Sequence, residues 1–272
     1  MRYLFTSPGG IVMKFYRVKA VAVRHLYEVR RNPSHLTNML YWPVMNIVVW
    51  GFFTIYLAHR GTPSLVSSLL AAVILWGLFN SFQRDMAVGF LDELWSRNLL
   101  NLFGSPLSVT EYVAGLLSVN LIKACIGTVL EAMVALLCYH FNIFPMAVAF
   151  VPFVFNLVLF GLAIGIAVTG LIFRYTTKFQ VLAWGFAGLL MPLSCVFYPL
   201  KSLPVFLSPV AWMLPTTHSF EGMRQALAGG GFSRQHFQWG IALDVAYFLL
   251  SVLAFRYLFE SARSRGLLVK ME

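Results

Sequence analysis

The sequence predicts an all-α integral membrane protein, and three observations predict it. Of 272 residues, 59% are apolar, and the mean hydropathy is +0.76. Only 11% are charged, against about a quarter in an ordinary soluble domain, so too little polar surface exists to solvate a globule of this size. The 25 Phe, 11 Tyr and 7 Trp demand burial, which excludes a disordered chain. Six helical spans of about 20 residues fit this length and leave no stretch for a separate soluble catalytic domain.

The first 35 residues hold seven Lys and Arg, and the first long apolar run begins only near Leu36, so no secretory signal is expected. Within this segment, residues 11–31 are apolar and basic at helical spacing. Arg17, Arg24 and Arg31 recur every seven residues, opposite Val18, Val21, Ala22, Leu26 and Val29. That pattern predicts an N-terminal amphipathic interfacial helix with its basic side toward lipid phosphates, with an ordinary amphipathic helix packed on protein as the alternative. A transmembrane domain over 36–259 follows, with spans expected at 36–58, 64–83, 112–138, 147–172, 181–198 and 237–259. Pro43 inside the first span is tolerable in a membrane helix. Residues 260–272 form a basic tail.

Between the second and third spans, 84–111 is polar. Asp92, Glu93, Ser96 and Arg97 make one face of a short amphipathic helix, and Leu91, Leu94, Trp95 and Leu102 lie largely on the rest. Gly104, Ser105 and Pro106 stop it, and Ser108-Val-Thr-Glu111 reads as a capping box that opens the third span. Such a helix, held at the membrane face, suits docking of a cytoplasmic partner; plain connectors look the same. Between the fifth and sixth spans, 199–231 contains Pro199, Pro204, Pro209 and Pro215 with apolar residues between them. Irregular backbone at membrane depth is tolerated only inside protein or beside a wet cavity, so short re-entrant helices near the outer surface are expected, with an interfacial loop anchored by Trp212 as the alternative.

Orientation follows from the basic residues. With both termini cytoplasmic, fifteen Lys and Arg fall on inner segments and four (Arg60, Lys201, Arg224, Arg234) on outer ones. The net charge of +10 is thereby explained without nucleic acid. Lys123, Glu131 and Asp244 fall inside spans, where a charge costs about 2.5–3.5 kcal/mol on insertion scales. They are the candidates for lining a substrate route, with structural hydrogen bonding as the alternative. Cys125, Cys138 and Cys195 sit in apolar runs, and the six histidines are scattered, so neither a disulfide framework nor a metal site is expected. The sequence has no H-E-x-x-H, G-x-S-x-G or paired carboxylates on one span, which disfavours an embedded enzyme. A secondary carrier would normally show interrupted spans at matching places in two halves.

Two stretches carry a resemblance. DELWSRNLLNLFGSPLSVTEYVAG, residues 92–115, resembles the segment after the second span in permease subunits of ATP-binding cassette exporters of the type-2 family. FYPLKSLPVFLSPVAWMLPTTHSFEGMR, residues 197–224, is similar to that family's connection between fifth and sixth spans. With the basic N-terminal helix and six spans, the resemblance covers nearly the whole chain. It implies export of a drug, lipid or lipid-linked polysaccharide by a homodimer in a bacterial inner membrane, driven by two copies of a separate ATPase. ATP and Mg would be bound by that partner, since no G-x-x-x-x-G-K-[ST] occurs here and the chain itself is expected to be non-catalytic, with no cofactor. The N-terminal helix would be the family's elbow. The segment around 90–103 would be its coupling helix, with Asp92, Glu93, Arg97 and Asn98 for polar docking and Trp95, Leu99 and Leu100 for apolar docking. The alternatives are an ATPase-independent carrier, an embedded enzyme or a structural subunit.

Overall fold

The computed structural model describes residues 13–59, 63–96, 98, 101, 105–144, 147–175 and 179–264. They form α1 (Phe15–Arg31), α2 (Pro33–His59), α3 (Pro63–Trp95), α4 (Val109–Tyr139), α5 (Ala147–Tyr175), α6 (Leu182–Leu190), α7 (Ser208–Trp212), α8 (Pro215–Leu227) and α9 (Arg234–Ser264), with a 3-10 turn at Leu200–Ser202. No strand occurs among the described residues. Five helices are long and apolar enough to cross a membrane: α2, α3, α4, α5 and α9.

The helix starts follow local chemistry. The expected capping box at α4 is present: Ser108 Oγ accepts from the Glu111 amide at 3.2 Å, and Glu111 Oε2 accepts from the Ser108 amide at 2.9 Å. Asn32 Oδ1 accepts from the Ser34 amide at the start of α2, and Pro215 occupies the first turn of α8. At α1 no side chain of its own caps the helix. Instead the Lys14 amide donates across to Glu111 Oε1 at 2.9 Å.

α3 and α5 bury most of their length and form the centre, while α2, α4 and α9 leave most of theirs exposed. The exposed faces are apolar (Phe52 and Phe53 on α2, Leu137 on α4, Leu250 and Leu253 on α9), as lipid contact requires. α5 lies between α3 and α9 and packs extensively on both, and α2 and α4 pack on α3 and on each other. The approach of α5 to α3 is set by Gly161-Leu-Ala-Ile-Gly165. A Cβ at Gly161 would stand 3.0 Å from the Phe79 carbonyl, and one at Gly165 2.7 Å from Met86 Cβ. Small residues four apart allow this backbone-to-backbone packing where lipid supplies no hydrophobic drive. Aromatic contacts fill the rest: Phe79 stacks on Phe160 at 5.6 Å, and Phe90, Phe173, Phe255 and Phe259 cluster nearer the α1 end.

Two sequence expectations change. The second span does not end at Arg84. α3 runs unbroken to Trp95, because Asp85 pairs with Arg84 (3.1 Å) and with Lys123 of α4 (2.7 Å), so the charges that read as a span end are neutralised within the bundle. The first part of the helix expected around 90–103 is therefore the last turn of α3; beyond it Asn101 is again helical, and most of 97–104 lies outside the described residues. The expected fifth span is the nine-residue α6, extended by turns to Cys195. Pro192 has no amide to donate, and Cys195 adopts a left-handed φ of 52°, so this segment passes from the α1 end to the Arg224 end as a short helix with irregular turns rather than as one regular span.

Candidate functional site

The end of the bundle that carries α1 gathers most of the paired charge. Arg24 donates to Glu93 Oε2 at 2.9 Å, and Arg17, two turns earlier on the same face, lies 3.3 Å from Glu111 Oε2 and donates to the Pro106 carbonyl. These arginines therefore face the end of α3 and the start of α4 rather than lipid phosphates alone. The carboxylates draw them inward; burial opposes the charge on Arg24, but the Glu93 hydrogen bond together with the charges of Glu93, Tyr112 and Glu28 outweighs it, so Arg24 keeps its proton more firmly than usual. Val18, Val21 and His25 make the buried stripe of α1, and Val21 sits against Gly115, where a Cβ would come within 2.5 Å.

Glu93 is the hub. Only 1% exposed, it accepts from Arg24 and from Asn98 Nδ2 (2.7 Å) on one oxygen, and from the Tyr112 hydroxyl (3.5 Å) on the other. His25 Nε2 lies 3.5 Å from that second oxygen, and Tyr112 also donates to the Gly89 carbonyl. Burial holds the His25 imidazole below its ordinary pKa, against the pull of Glu93 and Glu28, so it is neutral near pH 7. The Asn98 amide donates to the Glu93 carbonyl at 3.0 Å, and the Ser96 amide to that of Asp92, closing the C-terminus of α3. One buried carboxylate thus joins three helices and the first residues beyond α3.

The residues expected to dock a partner divide accordingly. Glu93 is committed within the chain. Asp92 is half-buried and points to His35 at 3.7 Å. Trp95 is 51% exposed at the tip of α3, its inner face stacked on Trp184 of α6 at 6.1 Å and 11°. Asn98 is half-buried. Arg97, Leu99 and Leu100 lie outside the described residues.

The three intramembrane charges meet different surroundings, and no ion pair or hydrogen bond links them to one another among the described residues. Lys123 is bound to Asp85, beside a small recess lined by Asn38, Pro43, Ser81 and Gly127. Glu131 is 3% exposed and packs on the bare backbone of Gly77, where a Cβ would stand 2.8 Å from Oε1. Asp244 is fully buried, with neither oxygen partnered among the described residues. Asn156 of α5 is likewise buried and unpartnered; it packs on Gly240, one turn from Asp244.

At the opposite end, Arg224 of α8 closes the broken segment. It donates to the carbonyls of Cys195 (2.8 Å) and Val196 (3.3 Å), the groups left without amide partners where α6 stops. Glu221 binds Arg224 at 3.0 Å and accepts from the Leu200 amide at 2.6 Å. Thr216 donates to Ser194, and Thr217 to the Leu193 carbonyl. Phe197 stacks on Trp50 of α2 at 4.1 Å. The proline-spaced segment is thus fastened to α8 through its own backbone.

These elements, from the elbow-like α1 to the end of α8, coincide with a known family: the ABC-2 type transporter family matches residues 16–228. The chain belongs to that family. It is accordingly a multi-pass membrane protein and the membrane domain of an ABC-type transporter. A search of curated proteins returned no match. Sequence reading missed Arg24, His25, Asp85 and Tyr112 as members of these clusters, since their partners stand tens of residues away. Gly161 and Gly165, by contrast, carry their signal openly as a small-xxx-small pair.

Proposed function

We propose that this chain is the permease subunit of an exporter powered by a separate ATPase, acting as a pair of identical copies with two ATPase subunits. Its substrate class is amphipathic or lipid-linked: a drug, a lipid or a polysaccharide on a lipid carrier. It sits in a bacterial plasma membrane with both termini cytoplasmic, binds no nucleotide itself and catalyses no reaction. The observation that carries this reading is the Glu93 junction. It fastens α1, α3 and α4 into one block and leaves Trp95 half-exposed at the tip, with the 96–108 connection beside it. A partner that moves this tip moves the second and third long helices together.

The test keeps Glu93 intact and alters the tip. Truncating an aromatic interface anchor commonly costs about 2 kcal/mol or more, roughly thirty-fold in affinity. Trp95→Ala with Arg97→Glu is expected to lower ATPase co-purification, or to uncouple hydrolysis from transport, with insertion unchanged. Full ATPase association and full substrate-stimulated hydrolysis in this variant would remove the docking assignment. If no ATPase accompanies the unmodified protein in mild detergent, the secondary-carrier and embedded-enzyme readings return. Single-cysteine labelling from outside at position 97 would overturn the orientation.

A further inference from the structure

Beside the Glu93 hub, three side chains from three helices converge without a cation of their own. The donor atoms of Glu28 (α1), His35 (α2) and Asp92 (α3) all lie within 4.8 Å of one another, and His35 Nε2 stands 3.7 Å from Asp92 Oδ2. All three residues are half-buried. Lys123, whose charge reaches Asp92, is committed to Asp85, and Arg24 is committed to Glu93. Two carboxylates thus face each other across one imidazole in a partly desolvated site, an arrangement that repels itself unless a proton or a metal cation is shared between them.

A second observation points the same way. His25 is only 6% exposed and directs Nδ1 at Glu28 Oε2 from 3.3 Å, while its Nε2 faces Glu93 Oε1 at 3.5 Å on the other side. Carboxylates that bind a metal are in turn held by hydrogen-bonding outer groups, and the His25 Nδ1 stands where it can hold Glu28. Donors about 2.0–2.1 Å from a tetrahedral Zn2+ stand roughly 3.3 Å apart, so the His35–Asp92 pair is a few tenths of an ångström from that spacing. Glu28 reaches it by rotating a flexible side chain.

We propose that Glu28, His35 and Asp92 form a divalent-metal site of the zinc class, with His25 positioning Glu28 and water completing the coordination. One nitrogen and two carboxylate oxygens suit a first-row transition ion better than Mg2+ or Ca2+, which take oxygen donors. The bound ion neutralises both carboxylates and ties the ends of α1 and α2 to the last turn of α3. This site stands apart from the ATPase reading, because it is complete within one chain.

The test uses the full-length chain alone, purified in detergent with a histidine-free tag, stripped with EDTA and titrated calorimetrically with Zn2+ and, separately, Mn2+. One equivalent of Zn2+ per chain is expected, at least ten-fold weaker in His35→Ala and in Asp92→Asn and weaker in Glu28→Gln. His140→Ala, an exposed histidine elsewhere, should bind as the unmodified chain does. Zn2+ should also raise the melting temperature of the unmodified chain and not that of Asp92→Asn. If His35→Ala does not elute as a folded species, Asp92→Asn and Glu28→Gln decide the matter. Equal Zn2+ binding by the unmodified chain and the Asp92→Asn variant, or no binding by either, would overturn the site. Tighter binding of Mn2+ than Zn2+ would overturn its zinc-class assignment.

Discussion

At the α1 end, side-chain charges do the joining: Arg24 meets Glu93, Arg17 meets Glu111, and Asp85 draws in Arg84 and Lys123. At the other end, the segment between α6 and α8 is held through its backbone, with carbonyls of Leu193, Cys195 and Val196 and the amide of Leu200 bound by side chains of α8. The difference follows from what each region lacks. The helices at the α1 end satisfy most of their own amides and carbonyls, so pairs of side chains do most of the connecting, with the Lys14 amide and the Pro106 carbonyl as exceptions. The 191–203 stretch has only turns and the short 3-10 helix at Leu200–Ser202 to absorb its polar backbone, so neighbouring side chains take up the rest. A charge pair joins two elements that already exist, whereas the backbone bonds make the element itself possible.

The comparison breaks most visibly at Glu93. Glu93→Ala leaves Arg24, Asn98 and the Tyr112 hydroxyl without their acceptor. Removing one partner of a buried pair costs about 3–5 kcal/mol; Arg24 is nearly half open to solvent, which lowers the expectation to roughly 2 kcal/mol. Thermal unfolding in detergent measures it, and Arg24→Met combined with Glu93→Ala should be less destabilised than the two single losses added together. Strict additivity would mean that the pair does not join α1 to α3.

Arg224→Met is the counterpart at the other end. It orphans two carbonyls and is expected to cost about 1–2 kcal/mol, but with a different signature. Amide exchange should rise locally over 191–203 while the α1 end stays protected. Uniform exchange across the whole chain would show that the two regions are one cooperative unit.

The smallest effect concerns His218. Its Nε2 faces the Trp212 carbonyl at 3.0 Å, so that nitrogen carries the proton, and Nδ1 accepts from His236 Nδ1 at 3.3 Å. Burial lowers the His218 pKa from its ordinary value, with the Trp212 carbonyl opposing and His236 assisting; Glu221 also faces it. The folded state therefore binds fewer protons than the unfolded chain below about pH 6.5, and stability falls with acidification there, by no more than about 1.4 kcal/mol per pH unit. Above that pH the group makes no difference. His218→Gln should flatten this acid limb of a melting-temperature profile measured from pH 5 to 8; an unchanged slope would place the acid sensitivity elsewhere.

What the sequence made legible was local. Hydropathy located the long helices, and the Ser108–Glu111 box could be read from four adjacent residues. Prolines marked the irregular stretch before α8. What escaped depended on distant partners. Arg84 and Asp85 look like the end of a span until Lys123, 38 positions on, neutralises Asp85. Glu93 looks like a surface residue until Arg24, 69 positions earlier, turns toward it. The apolar run 181–198 looks like one regular helix because hydropathy does not register the left-handed turn at Cys195. Of the expected docking residues, Trp95 sits where a partner could reach it, and Glu93 does not.

The length of α3 has a mechanical meaning. Its 33 residues extend about 50 Å, against a hydrocarbon core of about 30 Å. Because Arg84 and Asp85 are absorbed without a break, no joint separates the part that crosses the bilayer from the tip at Trp95. The glycine contacts with α5 at 161 and 165 act as a bearing near the middle, too close for the two backbones to slide past each other. A push at the tip has nowhere to be absorbed along the shaft. For a partner docked at the tip as proposed, a sideways step at Trp95 would swing the far end of α3, which packs on α8 beside the proline-spaced segment.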